Sequence, residues 1–361
     1  MAMKTRLSKK QMFFNKINLT KDDEIYIGLD VHKRTYNLAI WLNDAPAIDF
    51  VTPADNEKLL KLLYKIRIAI KRIVYEAGPT GYDLARSLQK ASLPAWVIAP
   101  SKTPRQSARD SKTDRLDCKT LAKYAAKGLL RPIAIPTRQQ EADRQLVRTR
   151  EQLVSKQTRV KLQIKSFLLQ HGINQPPSLK SWSVNAVREL KALKLSKQLR
   201  FCLDILLQQL QFFSEKLKEI ADRLQETFIQ ERHANKVKVL LTHPGIGPVI
   251  ARQFTAEIFK PNRFKHKTEL AKYVGLSPII IQSGQSLRDG PVTKTGRAEL
   301  RSNLIEAAWI WIRKDANAYK SFLRILHNTG QKNKAITAMA RRLAIHLWRM
   351  ICENRPYIEG A

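Results

Sequence analysis

Apolar and polar positions follow a strand-like rhythm in the N-terminal third of the chain and then change period. Ile25-Tyr-Ile-Gly-Leu-Asp30-Val is apolar, rich in strand formers, and ends on an acid. Residues 36–41 and 47–51 repeat this character, separated by the turn residues Asn43, Asp44 and Pro46, so three successive strands in an antiparallel meander are predicted. Asp55 caps a predicted helix bearing Leu59, Leu60, Leu62, Leu63 and Ile66. Arg72-Ile-Val-Tyr-Glu76 is a fourth strand, again ending on an acid. Gly78-Pro79-Thr80-Gly81 turns into a second helix, and residues 95–99 form a fifth strand. The order βββαβαβα predicts an α/β domain over residues 25–136, with a mixed sheet and helices on its faces.

From about residue 137 to residue 237 the period becomes helical and glycine becomes scarce. Leu199, Leu203, Leu206, Leu210, Phe213, Leu217, Ile220 and Leu224 recur at alternating steps of four and three, the seam of a coiled coil. Leu146, Leu153, Val160 and Phe167 recur every seven residues on an earlier helix. Gly172, Pro176 and Pro177 break the chain between them, so a long helical hairpin is predicted, with an ordinary helical bundle as the alternative. A third region, residues 238–361, opens with Pro244-Gly245-Ile-Gly247 between two helical stretches. That string resembles a helix-hairpin-helix turn, in which backbone amides approach a phosphate. A Gly/Ser-rich loop over residues 277–296 and basic amphipathic helices complete the chain.

Charge narrows the partners. The 361 residues carry 65 Lys plus Arg against 31 Asp plus Glu, a formal net charge of +34. So large an excess of one sign repels itself, and a polyanion neutralises it, which makes nucleic acid the expected partner. Residues 313–349 hold nine of these cations and the single acid Asp315. No apolar run is long enough to span a membrane, and the basic leader, residues 1–24, lacks the apolar core of a signal peptide. Cys118, Cys202 and Cys352 are widely spaced and form no CxxC pair, so they read as reduced thiols of a cytoplasmic protein.

Four acids carry the candidate chemistry. Asp30 and Glu76 end apolar strands; if those strands are neighbours, the two carboxylates meet above one edge of the sheet. Asp114 and Asp117, three residues apart, share one face of a predicted helix. Converging carboxylates repel one another unless cations lie between them, and their hard oxygens suit Mg2+ or Mn2+, the ions of two-metal phosphoryl transfer. Taken singly, each acid is equally a turn residue or a helix cap.

The strings Tyr26-Ile-Gly-Leu-Asp30-Val-His-Lys, Tyr75-Glu76-Ala-Gly-Pro-Thr-Gly-Tyr and Lys112-Thr-Asp114-Arg-Leu-Asp117 resemble the DEDD transposases of bacterial insertion sequences. The likeness continues through Pro244-Gly-Ile-Gly247, Gly275-Leu-Ser-Pro278, Gln282-Ser283-Gly284 and Thr293-Lys-Thr-Gly296-Arg-Ala-Glu-Leu-Arg301. It implies a RuvC-like N-terminal domain of ribonuclease-H topology, with Asp30, Glu76, Asp114 and Asp117 as its metal tetrad. It also implies a serine beside glycine in the C-terminal loop that attacks a DNA phosphate. Ser283 is the matching position and Ser286 the alternative, because Gln285 and Leu287 depart from the smaller or more basic residues of the family pattern. No histidine near that loop in sequence completes a hydrolase triad, so the serine rests on the resemblance. Further implications are guidance by a structured bridge RNA, action on element ends and target DNA, and a homo-oligomer, dimer or tetramer. The competing functions are a RuvC-type junction endonuclease that uses metal-activated water without a covalent intermediate, and a non-enzymatic nucleic-acid scaffold.

Overall fold

The computed structural model describes residues 9–104, 114–283 and 286–359. The chain divides into two compact units, Met1–Ile135 and Pro136–Ala361.

The first unit runs α1 (Lys9–Lys16), β1 (Ile25–Val31), β2 (Thr35–Leu42), β3 (Ala45–Pro53), α2 (Asn56–Tyr64), β4 (Ile70–Glu76), α3 (Asp83–Lys90), β5 (Ala95–Ile98) and α4 (Asp114–Ala126). Its five strands lie in the order β3-β2-β1-β4-β5. The first three pair antiparallel, whereas β4 lies parallel to β1 and β5 parallel to β4. The α/β reading with a mixed sheet therefore holds for this unit. The two-residue alternation of a strand sorts the side chains. Ile25, Ile27, Leu29, Ile73 and Tyr75 pack on one face with Leu59 and Leu63 of α2 and Leu84 and Leu88 of α3. Asp55 caps α2 as expected, its side chain accepting from the N–H groups of Glu57 and Lys58. The basic leader joins this core as well, since Phe14 of α1 is buried against Phe50.

The opposite face carries Gly28, Ala39 and Val74, and α4 covers it. Cys118 and Ala122 pack on Ala39, and Leu121 packs on Val74. Only glycine fits at 28: a Cβ there would fall 1.9 Å from the Cys118 carbonyl oxygen and 2.6 Å from the Ala122 nitrogen.

The second unit is mainly helical. It comprises α5 (Arg138–Gln170), α6 (Val184–Ala192), α7 (Lys197–Phe228), α8 (Glu231–Leu241), α9 (Pro248–Ile258) and α10 (Lys267–Tyr273). These are followed by β6 (Pro278–Ser283), β7 (Ser286–Val292), α11 (Ala298–Lys314), α12 (Ala316–Thr329) and α13 (Lys332–Glu353). Thr137 opens α5 with a capping box to Gln140. Helix α7 doubles back along α5: Leu203, Leu207 and Leu210 cluster with Val160, Ile164 and Leu168, and farther along Leu224 and Phe228 cluster with Val147. The buried line on α5 advances by fours through Val160, Ile164 and Leu168, while the heptad positions Leu153 and Phe167 stand half-buried beside it. Rows spaced four apart are the ridges of ordinary helix packing.

The near end of this hairpin shares a core with α9, α11 and α13, centred on Leu240, Phe254, Leu304, Ala308, Met339 and Leu343. Trp311 is buried there and Trp309 packs against the same core. Gly245 lies against α11, where a Cβ would meet the Ala307 carbonyl oxygen at 2.7 Å; its lack of a side chain serves close packing. The segment expected as a Gly/Ser loop is instead a β-hairpin, because the β-branched run Ile279-Ile-Ile pairs with β7. Among the described residues, no helix is long and apolar enough to cross a membrane.

Candidate active site

In the first unit, β1 and β4 bring two of the four acids to one edge. The parallel register pairs Gly28 with Val74 and Leu29 with Tyr75, so Asp30 and Glu76 stand one step further, each at the carboxyl end of its strand. Alternation puts both on the face of Gly28 and Val74, beneath α4. Strand β3 adds Asp49 to that face, in register with Ala39, which pairs with Gly28.

The direction of α4 follows from two ion pairs. Lys119 meets Asp49 at 2.8 Å, and Lys127, just past the helix, meets Asp44 at 2.8 Å. Asp44 lies in the β2–β3 turn, whose Asn43 donates to the Glu24 carbonyl beside the start of β1. The C-terminal end of α4 therefore lies over the start of β1, and its N-terminal turn, with Asp114 and Asp117, lies toward the end that bears Asp30. Asp117 is exposed, one residue before the Cys118 that seats on Gly28. Asp114 is the first residue of α4, and its side chain falls outside the described residues.

The carboxylates already have neighbours. Asp30 Oδ2 lies 2.9 Å from His32 Nε2, and Glu76 Oε1 accepts a 2.6 Å hydrogen bond from the Thr103 hydroxyl. Burial, then the negative charges of Asp30 and Asp49, push the Cys118 thiol up to about 11, so it stays protonated under the acids. Among the described residues, no three His, Cys, Asp or Glu side chains are gathered tightly enough to hold a metal ion. The donors are nonetheless of the right kind, since the hard carboxylate oxygens at the ends of β1 and β4 suit a hard divalent cation. Sequence reasoning does not single out Thr103 or Asp49. Asp49 carries a signal, as an acid in a strand whose neighbours at 48 and 50 are apolar. Thr103 carries none, since only the chain path after β5 brings it to Glu76.

The serine candidates belong to the second unit. Ser283 ends β6 and Ser286 begins β7, and the two are register partners at the tip of the hairpin. Their side chains, with Gly284 and Gln285 entire, fall outside the described residues. The hairpin root is tightly built. Gly275 and Gly296 have φ of +72° and +75°, and a Cβ on either would meet backbone at 2.1 Å. Thr293 N–H donates to the Ser277 carbonyl at 2.9 Å, and the Thr295 hydroxyl donates to the Lys272 carbonyl at 2.8 Å. Arg297 then reaches Glu151 of α5. Glu257 of α9, 1% exposed at its side chain, accepts a two-pronged pair from Arg148 at 2.8 and 2.9 Å.

Residues 27–173 match the DEDD_Tnp_IS110 family model, described as a transposase, and residues 237–324 match the transposase family IS116/IS110/IS902. The chain is 29% identical over 330 residues to a Sinorhizobium fredii protein named as transposase y4qE, covering 80% of each. It is 28% identical over 297 residues to the transposase of insertion element IS1533 from Leptospira borgpetersenii, covering 79% of this chain and 85% of that one. Against the transposase of IS1111A from Coxiella burnetii it is 21% identical over 353 residues, covering 96% and 95%. A DEDD-type transposase domain implies dependence on a divalent metal in general.

Proposed function

Because this chain belongs to the IS110 family of insertion-sequence transposases, we propose that it cuts and rejoins DNA through Ser283, assisted by a metal-binding tetrad of Asp30, Glu76, Asp114 and Asp117. The observation that carries this reading is the alignment of Asp30 with Glu76 at the ends of two parallel strands, under the helix that begins with Asp114 and bears Asp117. The strand order and the antiparallel-then-parallel pairing support a ribonuclease-H-like, RuvC-like domain. Magnesium or manganese bound there would neutralise charge on the reacting phosphate and favour the alkoxide form of an approaching hydroxyl. Asp30, Glu76, Asp114 and Asp117 would hold the ion, the first two being in contact with His32 and Thr103 in its absence.

In the reaction, the Ser283 oxygen forms a bond to a DNA phosphorus as the bond to one sugar oxygen breaks. The serine proton is lost and the leaving sugar oxygen gains one. The resulting phosphoserine link keeps a phosphoester for the reverse attack by a second DNA end, whereas hydrolysis would spend it. Ser286 is the alternative nucleophile. A structured guide RNA that pairs with element ends and target is supported by the net charge, which tolerates two polyanions at once. A homo-oligomer is supported by Phe201, Ile205 and Phe212, exposed along one stripe of α7. The helical hairpin would act there as a coiled coil, and the turn of residues 244–247, through its exposed Gly247, as a helix-hairpin-helix contact to a phosphate. The domain limits we assign are residues 25–136, 137–237 and 238–361.

The test is covalent trapping. The protein is incubated with labelled element-end DNA, its RNA and magnesium, then denatured, and label is sought on the protein band. Ser283→Ala should bind DNA yet carry no label, and Ser286→Ala should carry it. Label absent only in Ser286→Ala moves the nucleophile to that residue. Cleavage without any label in the wild type would establish a RuvC-type junction endonuclease instead.

A further inference from the structure

In the second unit, a cavity of about 320 Å³ opens beside α13, lined by residues outside the serine hairpin. Its wall is basic. Arg342 and Arg349 stand seven residues apart on one face of α13, and Lys267 comes from the first turn of α10. Among the described residues, none of these three cations has a carboxylate within ion-pair distance. The acid that lines the cavity, Asp315, is buried and committed elsewhere: it caps α12 through the Ala318 N–H at 2.7 Å and accepts from the Tyr357 hydroxyl. Trp311 in turn donates to the Tyr357 oxygen at 3.1 Å, so two of the lining aromatic groups are locked in place. Further positive charge lies close by, since burial first and then Arg324 and Arg341 lower the Arg342 pKa.

Unneutralised cations gathered on a concave wall repel one another, and a structure retains them most easily when an anion divides its charge among them. We infer that this cavity is a phosphate-binding site that holds one backbone phosphate of bound DNA between Lys267, Arg342 and Arg349. It is an anchor outside the cutting chemistry. It fixes the register of the duplex on this unit without reading bases.

The experiment uses the full chain and a fluorescent duplex of arbitrary sequence, with affinity measured across a salt series. Arg342→Gln with Arg349→Gln should weaken binding by tenfold or more at low salt. The slope of log affinity against log salt should fall by about one for each arginine that no longer meets a phosphate. A control of equal charge, Lys218→Gln with Arg223→Gln on exposed positions of α7, should leave the slope nearly unchanged. Equal weakening in the two variants would reduce the cavity to general surface charge and overturn the proposal. Weakening confined to a structured RNA, with duplex binding intact, would overturn the assignment to DNA. Calorimetry with inorganic phosphate separates a free-anion site: binding to wild type alone, with equal duplex affinity in both, would also overturn it. If the double variant fails to fold, Arg349→Gln alone is read on the same series, where an unchanged slope counts against the proposal.

Discussion

Gly28 of β1 lies directly against the backbone of Cys118 in α4, and that contact sets the height of the helix above the sheet. The helix that carries two of the candidate acids is thereby pressed onto the strand that carries a third. Gly28→Ala should push α4 away. We expect a cost of ~3 kcal/mol, the upper end for overpacking, because the clash is with backbone. Urea denaturation of the first unit reads the cost, and cleavage activity should fall further than stability alone accounts for. A variant as stable and as active as wild type would remove α4 from the site.

The tetrad is testable without turnover. Removing one carboxylate from a group that repels itself need not destabilise the metal-free protein. Asp30→Ala and Asp117→Ala should therefore melt near the wild-type temperature without metal. With magnesium or manganese, wild type should gain stability by ligand linkage and the variants should gain little. Cleavage should be abolished in both while DNA binding persists. An equal metal-dependent gain in the variants would displace these residues from the ligand set.

Glu257 is a buried charge, and Arg148 is its main partner. Arg148→Ala leaves that carboxylate with Arg297 at 3.9 Å and should cost ~3–5 kcal/mol. Adding Glu257→Gln should recover much of that stability, because no buried charge then remains to be matched. A double-mutant cycle measures the coupling, and strictly additive effects would show that the pair is not coupled.

His243 makes stability depend on pH. Burial first, and then the neighbouring His346, hold its pKa down at about 3 against a smaller opposing pull from Asp315. The ring accepts the Gly245 N–H at 3.2 Å and is enclosed by Trp311 and Tyr357. Between about pH 6.5 and pH 3 the unfolded chain binds a proton that the folded chain refuses. Stability is thus greatest above pH 6.5 and falls on acidification, by up to ~1.4 kcal/mol per pH unit from this group. His233, also lowered by burial, acts in the same direction. His243→Phe should flatten the slope of urea midpoint against pH, whatever it costs at neutral pH. An unchanged slope would mean the ring is not the titrating group.

Local sequence carries much of this architecture. Strands β1, β2, β4 and β5 are legible as short apolar runs because the sheet is covered on both faces, and the acids that end β1 and β4 stand out against those runs. The helices from residue 137 onward are legible by period, and Asp55 by its capping chemistry. Residues 277–296 read as a loop because their glycines and serines outweigh Ile279-Ile-Ile, which forms a strand only when a partner is present.

What the sequence by itself determined was most of the elements, the β6–β7 hairpin excepted, and the acids at the ends of β1 and β4, since each depends on neighbours within a few positions. Only the tertiary structure decided that Asp30 and Glu76 stand side by side, that Gly28 seats Cys118, that Thr103 meets Glu76, and that Glu257 is matched by Arg148. The last pair is separated by 109 residues. Such contacts depend on the path of the chain between them, and no local period records that path.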